Sequence, residues 1–469
     1  MVKIFGHFVS GPKLLLASCE VVLISAVLAI VVLPTGAGAL SIGYVGTVIE
    51  FSLAPSVLEI TAMIAVGLYN YDVLVNFRLT LIKMIVALIL VAPVICLGLL
   101  LLADAEGGIG SGWFPWYLKM VLIWVLSVVA TRMAFLKFAG VEAFKRRVVV
   151  LGTGNLAARI LSRGEEAVEC HFTAVAFVNA CVDPLKVERA DFVLDNMTDQ
   201  EALSSFVCRH RAHEVVVATD DRRGFFVNRL LSCKMDGINI IDYQSFWERE
   251  SCRLDLDALQ PSWLIFSNGF RTGIFVDAVK RSFDIIVSVA MLIFTSPLLL
   301  ATAILIKLES GGPILYRQER VGLGGRTFSL LKFRSMCVDA EEPGEPQWAR
   351  INDSRATRVG SVIRKLRIDE LPQLFNVLYN DMSLIGPRPE RPYFVDRLSH
   401  EIPFYSERHL VKPGITGWAQ IRYPYGASLE DARQKLCYDL YYIKNRTLFL
   451  DLIILIETVR IILFPSGAR

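Results

Sequence analysis

Apolar runs dominate the first third of the chain. Leu14–Leu33, Phe51–Tyr69, Met84–Leu102 and Trp116–Ala130, the last running somewhat further, each fit a membrane-crossing helix. Charge alternates between them. Lys3 and Lys13 precede the first run, and residues 34–50 carry no Lys or Arg. Arg78 and Lys83 follow the second run, and Asp104 and Glu106 follow the third. Arg132, Lys137, Lys145, Arg146 and Arg147 come after the fourth. Positively charged loops stay on the cytoplasmic side, so the N-terminus and everything beyond about residue 132 are expected there. Trp113, Trp116 and Tyr117 suit an aromatic belt at the outer face. Glu20 and Glu59 fall inside the runs, where a charge is costly. They read either as a lipid or partner contact or as acids that hydrogen-bond neighbouring helices.

A fifth run, Ile285–Ile306, breaks the alternation. Lys280 and Arg281 precede it, Lys307 follows it, and Pro297 sits at its centre within Phe294-Thr-Ser-Pro-Leu298. A straight crossing would put the Arg- and Lys-rich remainder outside the cell. A helix that enters, breaks at Ser296 and Pro297 and returns, over about residues 283–307, keeps both basic ends inside. An ordinary kinked span is the other reading. The last run, Leu448–Phe464, contains Asp451, Glu457 and Arg460 and reads as a helix lying in the membrane interface.

Composition agrees with a membrane protein. Over 469 residues, 54% are hydrophobic and the mean hydropathy is +0.47. A net charge of +3 gives no reason to expect nucleic acid. Nine dispersed cysteines without any Cys-x-x-Cys spacing read as reduced cytosolic thiols. The first apolar run lacks a small-residue cleavage site and reads as an anchor.

Between the fourth and fifth runs, Arg147-Val-Val-Val-Leu-Gly-Thr-Gly-Asn-Leu-Ala157 predicts a strand, a glycine turn and a helix start of Rossmann type. Phe172–Val178, Glu214–Thr219 and Ile238–Asp242 predict further strands. Asn179 ends the second strand, where an NAD site takes an acid for the ribose. This α/β segment is either a dinucleotide site or, as the missing acid favours, a structural or regulatory module.

The chemistry-bearing blocks come last. Ile314-Leu-Tyr-Arg-Gln-Glu-Arg-Val-Gly322 places Gln318 and Arg320 near a glycine turn, and Phe328–Met336 is strand-like with a basic end. Thr357-Arg-Val-Gly360 and Arg364-Lys-Leu-Arg-Ile-Asp-Glu-Leu-Pro-Gln-Leu374 follow, then Ser383-Leu-Ile-Gly-Pro-Arg-Pro-Glu390 and Arg408–Gln420. Asp369 and Glu370 precede Pro372, which suits the first turn of a helix through Leu374, Phe375 and Leu378. A helix dipole there favours ionised carboxylates by up to ~1 kcal/mol. Carboxylates among guanidinium groups suit phosphoryl transfer, one acid attacking or holding a metal while cations neutralise phosphate. Two adjacent acids before Leu-Pro are otherwise capping acids paired with Arg364 or Arg367. His409 reads as a phosphate or proton-transfer group or a structural one, and Asp381 and Glu390 as loop acids or metal-shell members.

This order of blocks resembles the catalytic domain of the bacterial sugar transferase family, the polyprenol-phosphate hexose-1-phosphate transferases, over about residues 275–465. The whole chain resembles its large form, which primes O-antigen, capsule or exopolysaccharide synthesis. The resemblance implies transfer of a hexose 1-phosphate from a UDP-sugar to undecaprenyl phosphate with release of UMP. It implies a monotopic catalytic domain whose re-entrant helix breaks at Ser296-Pro297. It implies Asp369 as nucleophile, Glu370 as companion acid, and Mg²⁺ held by the pair. Arg364 and Arg388 match the family's arginines, and Arg320, Lys332, Arg334 and Arg408 join them as expected substrate-binding residues. Ser335 stands where Thr is usual, and Asn380 where Gly is usual.

The expected architecture is a membrane α-helical bundle (residues 1–140), a cytosolic α/β Rossmann-like domain (141–272) and a monotopic, α-rich catalytic domain with a re-entrant helix (273–469). Expected partners are the UDP-sugar, undecaprenyl phosphate, the lipid bilayer and a second copy in a homo-oligomer, a dimer. The expected location is the bacterial inner membrane, multi-pass, with catalysis on the cytoplasmic face. Two alternatives stay open: a membrane-bound nucleotide-sugar dehydratase, which needs a Tyr-x-x-x-Lys pair that 156–270 does not supply, and a non-catalytic scaffold or regulator of polysaccharide export.

Overall fold

The computed structural model describes residues 2–4, 7–32, 56–69, 80–89, 113–135, 145–166, 170–179, 186–187, 192–193, 200–220, 227–270, 273–337, 355–424, 426 and 428–463, with Val73, Arg78 and Val91. The expected loops at 34–50 and 103–112, and parts of the second and third apolar runs, lie outside the described residues. The chain divides into two compact units, residues 1–4 with 8–250, and residues 5–7 with 251–469.

In the first unit, after the short strands β1 (Val2–Ile4) and β2 (His7–Val9), come four apolar helices: α1 (Gly11–Val32), α2 (Ser56–Val66), α3 (Thr80–Ile89) and α4 (Trp113–Ala134). They match the expected runs where they are described. Glu20 of α1 is buried and accepts hydrogen bonds from Tyr69, from Thr131 Oγ1 (3.4 Å) and from Arg132 Nε (3.2 Å). Glu20 therefore joins helices, as the second of its two readings holds. Arg132 is corrected too. It does not follow the fourth helix as a flanking base but lies within α4 as a buried partner of Glu20, its Nη1 also donating to Leu68 O at 2.9 Å. A charge inside an apolar bundle persists when it is both paired and hydrogen-bonded.

The same unit holds a parallel five-stranded sheet of β3 (Arg146–Leu151), β4 (Phe172–Asn179), β5 (Phe192–Val193), β6 (Glu214–Val217) and β7 (Asn239–Asp242). Its order, β5-β4-β3-β6-β7, is doubly wound, with the order reversing between β3 and β6. Val149, Leu151, Ala176, Val178, Val215 and Val217 fill its core, as strands covered on both faces require. Helices α5 (Asn155–Glu166), α6 (Gln200–Arg209), α7 (Val227–Met235) and α8 (Tyr243–Ser251) accompany the sheet.

In the second unit, residues 251–270 pack with the C-terminal region. Trp418 Nε1 donates to Cys252 O (2.8 Å), Leu254 N to Cys437 O (3.0 Å) and Phe270 N to Lys444 O (3.2 Å). After α9 (Pro261–Phe266) comes α10 (Ile274–Glu309), the one helix among the described residues long and apolar enough to cross a membrane. Much of its apolar surface is uncovered, with Phe294 87% exposed and Ile286, Ile293 and Leu300 also exposed. Each such side chain gains about 1.5–3 kcal/mol on leaving water, so this surface suits lipid. Pro297 lies inside a continuous helix and not at a break between two. The Ile293 carbonyl, which Pro297 cannot serve, accepts from Ser296 Oγ at 2.8 Å, and Thr295 Oγ1 donates to Met291 O at 2.7 Å. Such back-bonding beside a proline keeps the helix intact and bends it.

Both ends of α10 are tied into this unit. Arg281 donates to Val377 O and Leu378 O, and buried Asp284 accepts from Leu384 N. At the other end Ile306 packs with Phe333 and Ile363. The antiparallel hairpin β8 (Leu315–Val321) and β9 (Thr327–Phe333) follows, then α11 (Arg358–Lys365) and α12 (Gln373–Leu378). The parallel pair β10 (Ser383–Ile385) and β11 (Gly414–Thr416) flanks α13 (Pro392–Glu401), and α14 (Trp418–Arg422), α15 (Leu429–Lys444) and α16 (Leu448–Leu463) close the unit. Asp451 of α16, one of the charges that set this run apart from a span, is fully buried, 2.7 Å from Lys280 Nζ.

Candidate active site

Asp369 and Glu370 lie in a single 3₁₀ turn, Ile368–Glu370, between α11 and α12. Arg367 enters that turn with a left-handed φ of 59°, an arrangement that sharp functional turns retain when their surroundings hold it. Pro372 forms the N-cap of α12 and keeps the acids just ahead of the helix. The two carboxylates then diverge. Glu370 Oε1 accepts from Arg388 Nη2 at 2.7 Å and lies 3.5 Å from Lys332 Nζ and 3.9 Å from Arg367 Nη1. Burial opposes its ionisation, but the charges of Arg388, Lys332 and Arg367 outweigh burial and hold its carboxyl far below the ordinary range.

Asp369 is 9% exposed, and its Oδ1 is buried with no hydrogen-bond partner. Burial, and then the negative charge of Glu370, push its carboxyl up to about 6, against the pull of Lys332, Arg367 and Arg364. The expected gain from a helix dipole is thus overturned. The six-residue α12 offers at most ~1 kcal/mol, and desolvation wins. A buried carboxylate oxygen left without a donor costs free energy and is available to a reacting atom or a cation.

The Pro387-Arg388-Pro389 loop carries Arg388 from the end of β10. It is held by close backbone approach. A Cβ on Gly386 would lie 2.3 Å from Lys412 O, and one on Gly414 would lie 2.1 Å from Gly386 N. Gly414 N donates to Pro387 O, and Arg408 Nη2 to Arg388 O at 3.0 Å. Arg388 Nη1 reaches Gln420 Oε1 at 3.2 Å. Arg320 lies against the same loop, donating to Pro389 O (3.1 Å) and 3.6 Å from Glu390. Burial draws its guanidinium down to about 10 and lowers the Lys332 ammonium as well.

Of the sequence-predicted site residues, Asp369, Glu370, Lys332 and Arg388 meet directly, Arg364 acts on Asp369 through its charge, and Arg320 and Arg408 brace the Arg388 loop. Arg334 goes elsewhere. Its guanidinium donates to Ser310 O (3.0 Å) and Gly311 O (2.7 Å) at the end of α10. His409 belongs to the 3₁₀ turn Tyr405–Leu410, and burial followed by Arg408 lowers its imidazole to about 4, so it is neutral near pH 7. Asp381 lies 3.4 Å from Asn376 Nδ2. Asn380 has φ +74°, a conformation glycine adopts freely and asparagine tolerates, which accounts for the substitution.

Three contributors were not legible in the sequence. Asn376 grips β9 by donating to Ser329 O (2.8 Å) and accepting from Leu331 N (2.9 Å), next to Lys332. Gln420 meets Arg388. Asp439 is buried on α15 and pairs with Arg408 at 3.0 Å, its carboxyl raised to about 6 by burial against that arginine. Such partners lie far apart along the chain, and only the α14 glycine loop hinted at Gln420. Among the described residues no group of three or more His, Cys, Asp or Glu side chains is placed to hold a metal. An orphaned Asp369 oxygen beside Glu370 still fits Mg²⁺, which takes one or two carboxylates and completes its shell with water and substrate phosphate.

At the reversal point of the parallel sheet, the glycine turn takes an acid from its own chain. Asp220, just after β6, accepts from Asn155 N (2.8 Å), Asn155 Nδ2 (3.0 Å) and Leu156 N (3.1 Å) at the start of α5. A Cβ on Gly154 would lie 2.5 Å from Asp220 Oδ2. That carboxylate stands where a dinucleotide pyrophosphate stands in a Rossmann turn.

Residues 275–465 match the family described as bacterial sugar transferase. A UDP-N-acetylgalactosamine-undecaprenyl-phosphate N-acetylgalactosaminephosphotransferase of Aeromonas hydrophila is 47% identical over 260 residues, which is 55% of this chain and 60% of that protein. A UDP-glucose:undecaprenyl-phosphate glucose-1-phosphate transferase of Caulobacter vibrioides is 44% identical over 195 residues, 41% of this chain and 73% of that protein. An Escherichia coli protein of the same description is 40% identical over 183 residues, 39% of each chain. The chain thus spans less than two thirds of the length of the Aeromonas relative.

Proposed function

The chain belongs to the bacterial sugar transferase family, and from that premise we propose that it transfers a hexose 1-phosphate from a UDP-sugar to undecaprenyl phosphate. The observation that carries this reading is the divergence within the dyad. Glu370 is neutralised by Arg388 and Lys332, while Asp369 keeps a buried oxygen with no donor. An Asp369 oxygen attacks the sugar-bearing phosphorus of the donor. The bond from that phosphorus to the bridging oxygen breaks, and UMP leaves with the electron pair. The aspartyl phosphosugar then meets an oxygen of undecaprenyl phosphate, which attacks the same phosphorus and returns Asp369 to its carboxylate. Two half-reactions let a water-soluble donor and a lipid acceptor use one site in turn.

Arg388 and Lys332 balance phosphate charge, Lys332 from a largely buried position where a fixed cation acts more strongly than in water. Mg²⁺ held by Asp369 and Glu370 would neutralise further phosphate charge when bound. The membrane arrangement follows the same reading. A helix that enters and returns is supported by the anchorage of both ends of α10 in one unit and by Pro297 midway along it, beside the back-bonded Thr295 and Ser296. On this reading catalysis takes place at the cytoplasmic face of a bacterial inner membrane, at the first committed step of O-antigen, capsule or exopolysaccharide assembly.

The test uses the full chain in membranes. Donor alone should label the protein with sugar phosphate and release one UMP per protein, and added undecaprenyl phosphate should discharge the label. Release of UMP only when both substrates are present together, with no labelled protein, overturns the two-step route in favour of direct attack by the lipid phosphate.

A further inference from the structure

Asp451 and Lys280 are unexplained by the chemistry above. Asp451 is fully buried in the apolar helix α16, and its two oxygens have separate partners. Oδ2 accepts from Lys280 Nζ at 2.7 Å, and Oδ1 accepts from the Tyr442 hydroxyl of α15 at 2.8 Å. Both groups also lie near one carbonyl, the single hydroxyl hydrogen of Tyr442 being shared between it and Asp451. Ile385 O lies 3.1 Å from Tyr442 OH and 3.4 Å from Lys280 Nζ. Ile385 ends β10, and Gly386, Pro387 and Arg388 follow at once. On the same strand Leu384 N donates to Asp284 of α10 at 3.3 Å. Two helices, α10 and α15, therefore meet the two residues at the root of the arginine loop directly, and a third, α16, joins them through Asp451. Buried polar networks of this kind fix a single geometry when every member is satisfied.

We propose that Lys280, Asp451 and Tyr442 are positioning residues that hold the root of the Pro387-Arg388-Pro389 loop, set Arg388 on Glu370, and join the apolar helix to the phosphate-binding arginine. The role rests on the transfer reaction proposed above, because its effect is exerted on Arg388. None of the three residues touches the dyad. Lys280 reaches the loop root from the start of α10, so the seating of that helix and the placing of Arg388 share one joint. A small displacement of a phosphate-binding group changes turnover far more than it changes stability.

Tyr442→Phe removes the hydroxyl and keeps the ring, and Asp451→Asn is the companion variant. UMP release from a UDP-sugar with undecaprenyl phosphate is measured for the full chain, for Arg388→Ala, and for Tyr442→Phe in both backgrounds, alongside thermal unfolding. In the otherwise unsubstituted chain, Tyr442→Phe should lower kcat about tenfold with little change in the donor KM. In the Arg388→Ala background the same change should cost less than about twofold, because groups acting through one residue are not additive. Asp451→Asn should follow the same pattern. Equal losses in both backgrounds, an undiminished kcat, or a Tyr442→Phe chain that does not fold would each overturn the positioning role. An unsubstituted chain that releases no UMP would instead overturn the transfer reading itself.

Discussion

Asp220 and Asp369 are two carboxylates beside helix starts, one at the turn of the parallel sheet and one at the dyad. Asp220 accepts three hydrogen bonds, two of them from the backbone N–H groups that open α5. Asp369 stands ahead of α12 with a buried Oδ1 that has no donor. One carboxylate completes a helix terminus and is used up in doing so. The other carries an uncompensated desolvation that raises its affinity for a proton and leaves an oxygen available. Satisfaction of the acid, more than its place at a helix start, separates a cap from a candidate nucleophile.

Removing the nucleophile gives the largest expected effect. Asp369→Asn should lower turnover about 10⁴-fold or more and abolish the labelled intermediate, while the protein stays folded. An asparagine variant with near-normal UMP release would erase the distinction drawn between the two acids. Arg388→Ala comes next, at about 10²–10³-fold, as expected for one preorganised cation on a phosphate. It also leaves Glu370 buried beside Asp369 with one cation fewer, so donor labelling should fall along with overall turnover.

The acid limb of the rate profile sharpens the contrast at intermediate size. With Asp369 raised to about 6, the carboxyl is protonated and inert below that pH and ionised above it. Donor labelling without Mg²⁺ should therefore fall about tenfold per pH unit on going below 6. A bound divalent cation favours the carboxylate, so added Mg²⁺ should move the midpoint lower. A midpoint near 4 without metal would show that burial does not govern this acid.

Motif spacing made the dyad, Lys332 and Arg388 legible in the sequence, and hydrophobic runs with a glycine turn made the parallel sheet legible. Local chemistry suffices there, because a turn and the helix after it are set by neighbouring residues. Partners far apart in the chain were not legible. Arg132 reads as a cytosolic flank until Glu20, more than a hundred residues earlier, is found paired with it. Asp451 is only a charge within an apolar run until Lys280 is found paired with it. Arg334 reads as one of a basic site cluster because strand neighbours alternate faces, and only the fold shows it turned to the end of α10. The Rossmann turn keeps both its readings in the sequence because Asp220, which fills it, lies 65 residues beyond Asn155.

The smallest expected effect concerns that cradle. Asp220→Asn keeps the shape and one acceptor but loses the charge and part of the bonding to α5. It should lower stability by about 1 kcal/mol, the usual size of a lost cap, and leave UMP release unchanged within about twofold. NAD⁺ should alter neither the thermal unfolding nor the activity of the unsubstituted chain, since its pyrophosphate would have to displace a carboxylate bound through three hydrogen bonds. Asp220→Ala removes the carboxylate altogether and bares the N–H groups of Asn155 and Leu156. Sulfate should then raise the unfolding temperature of this variant more than that of the unsubstituted chain, because a helix terminus stripped of its own anion takes another. If NAD⁺ stabilises the unsubstituted chain and Asp220→Ala weakens that response, the carboxylate is part of a dinucleotide site, and the glycine turn binds a cofactor after all.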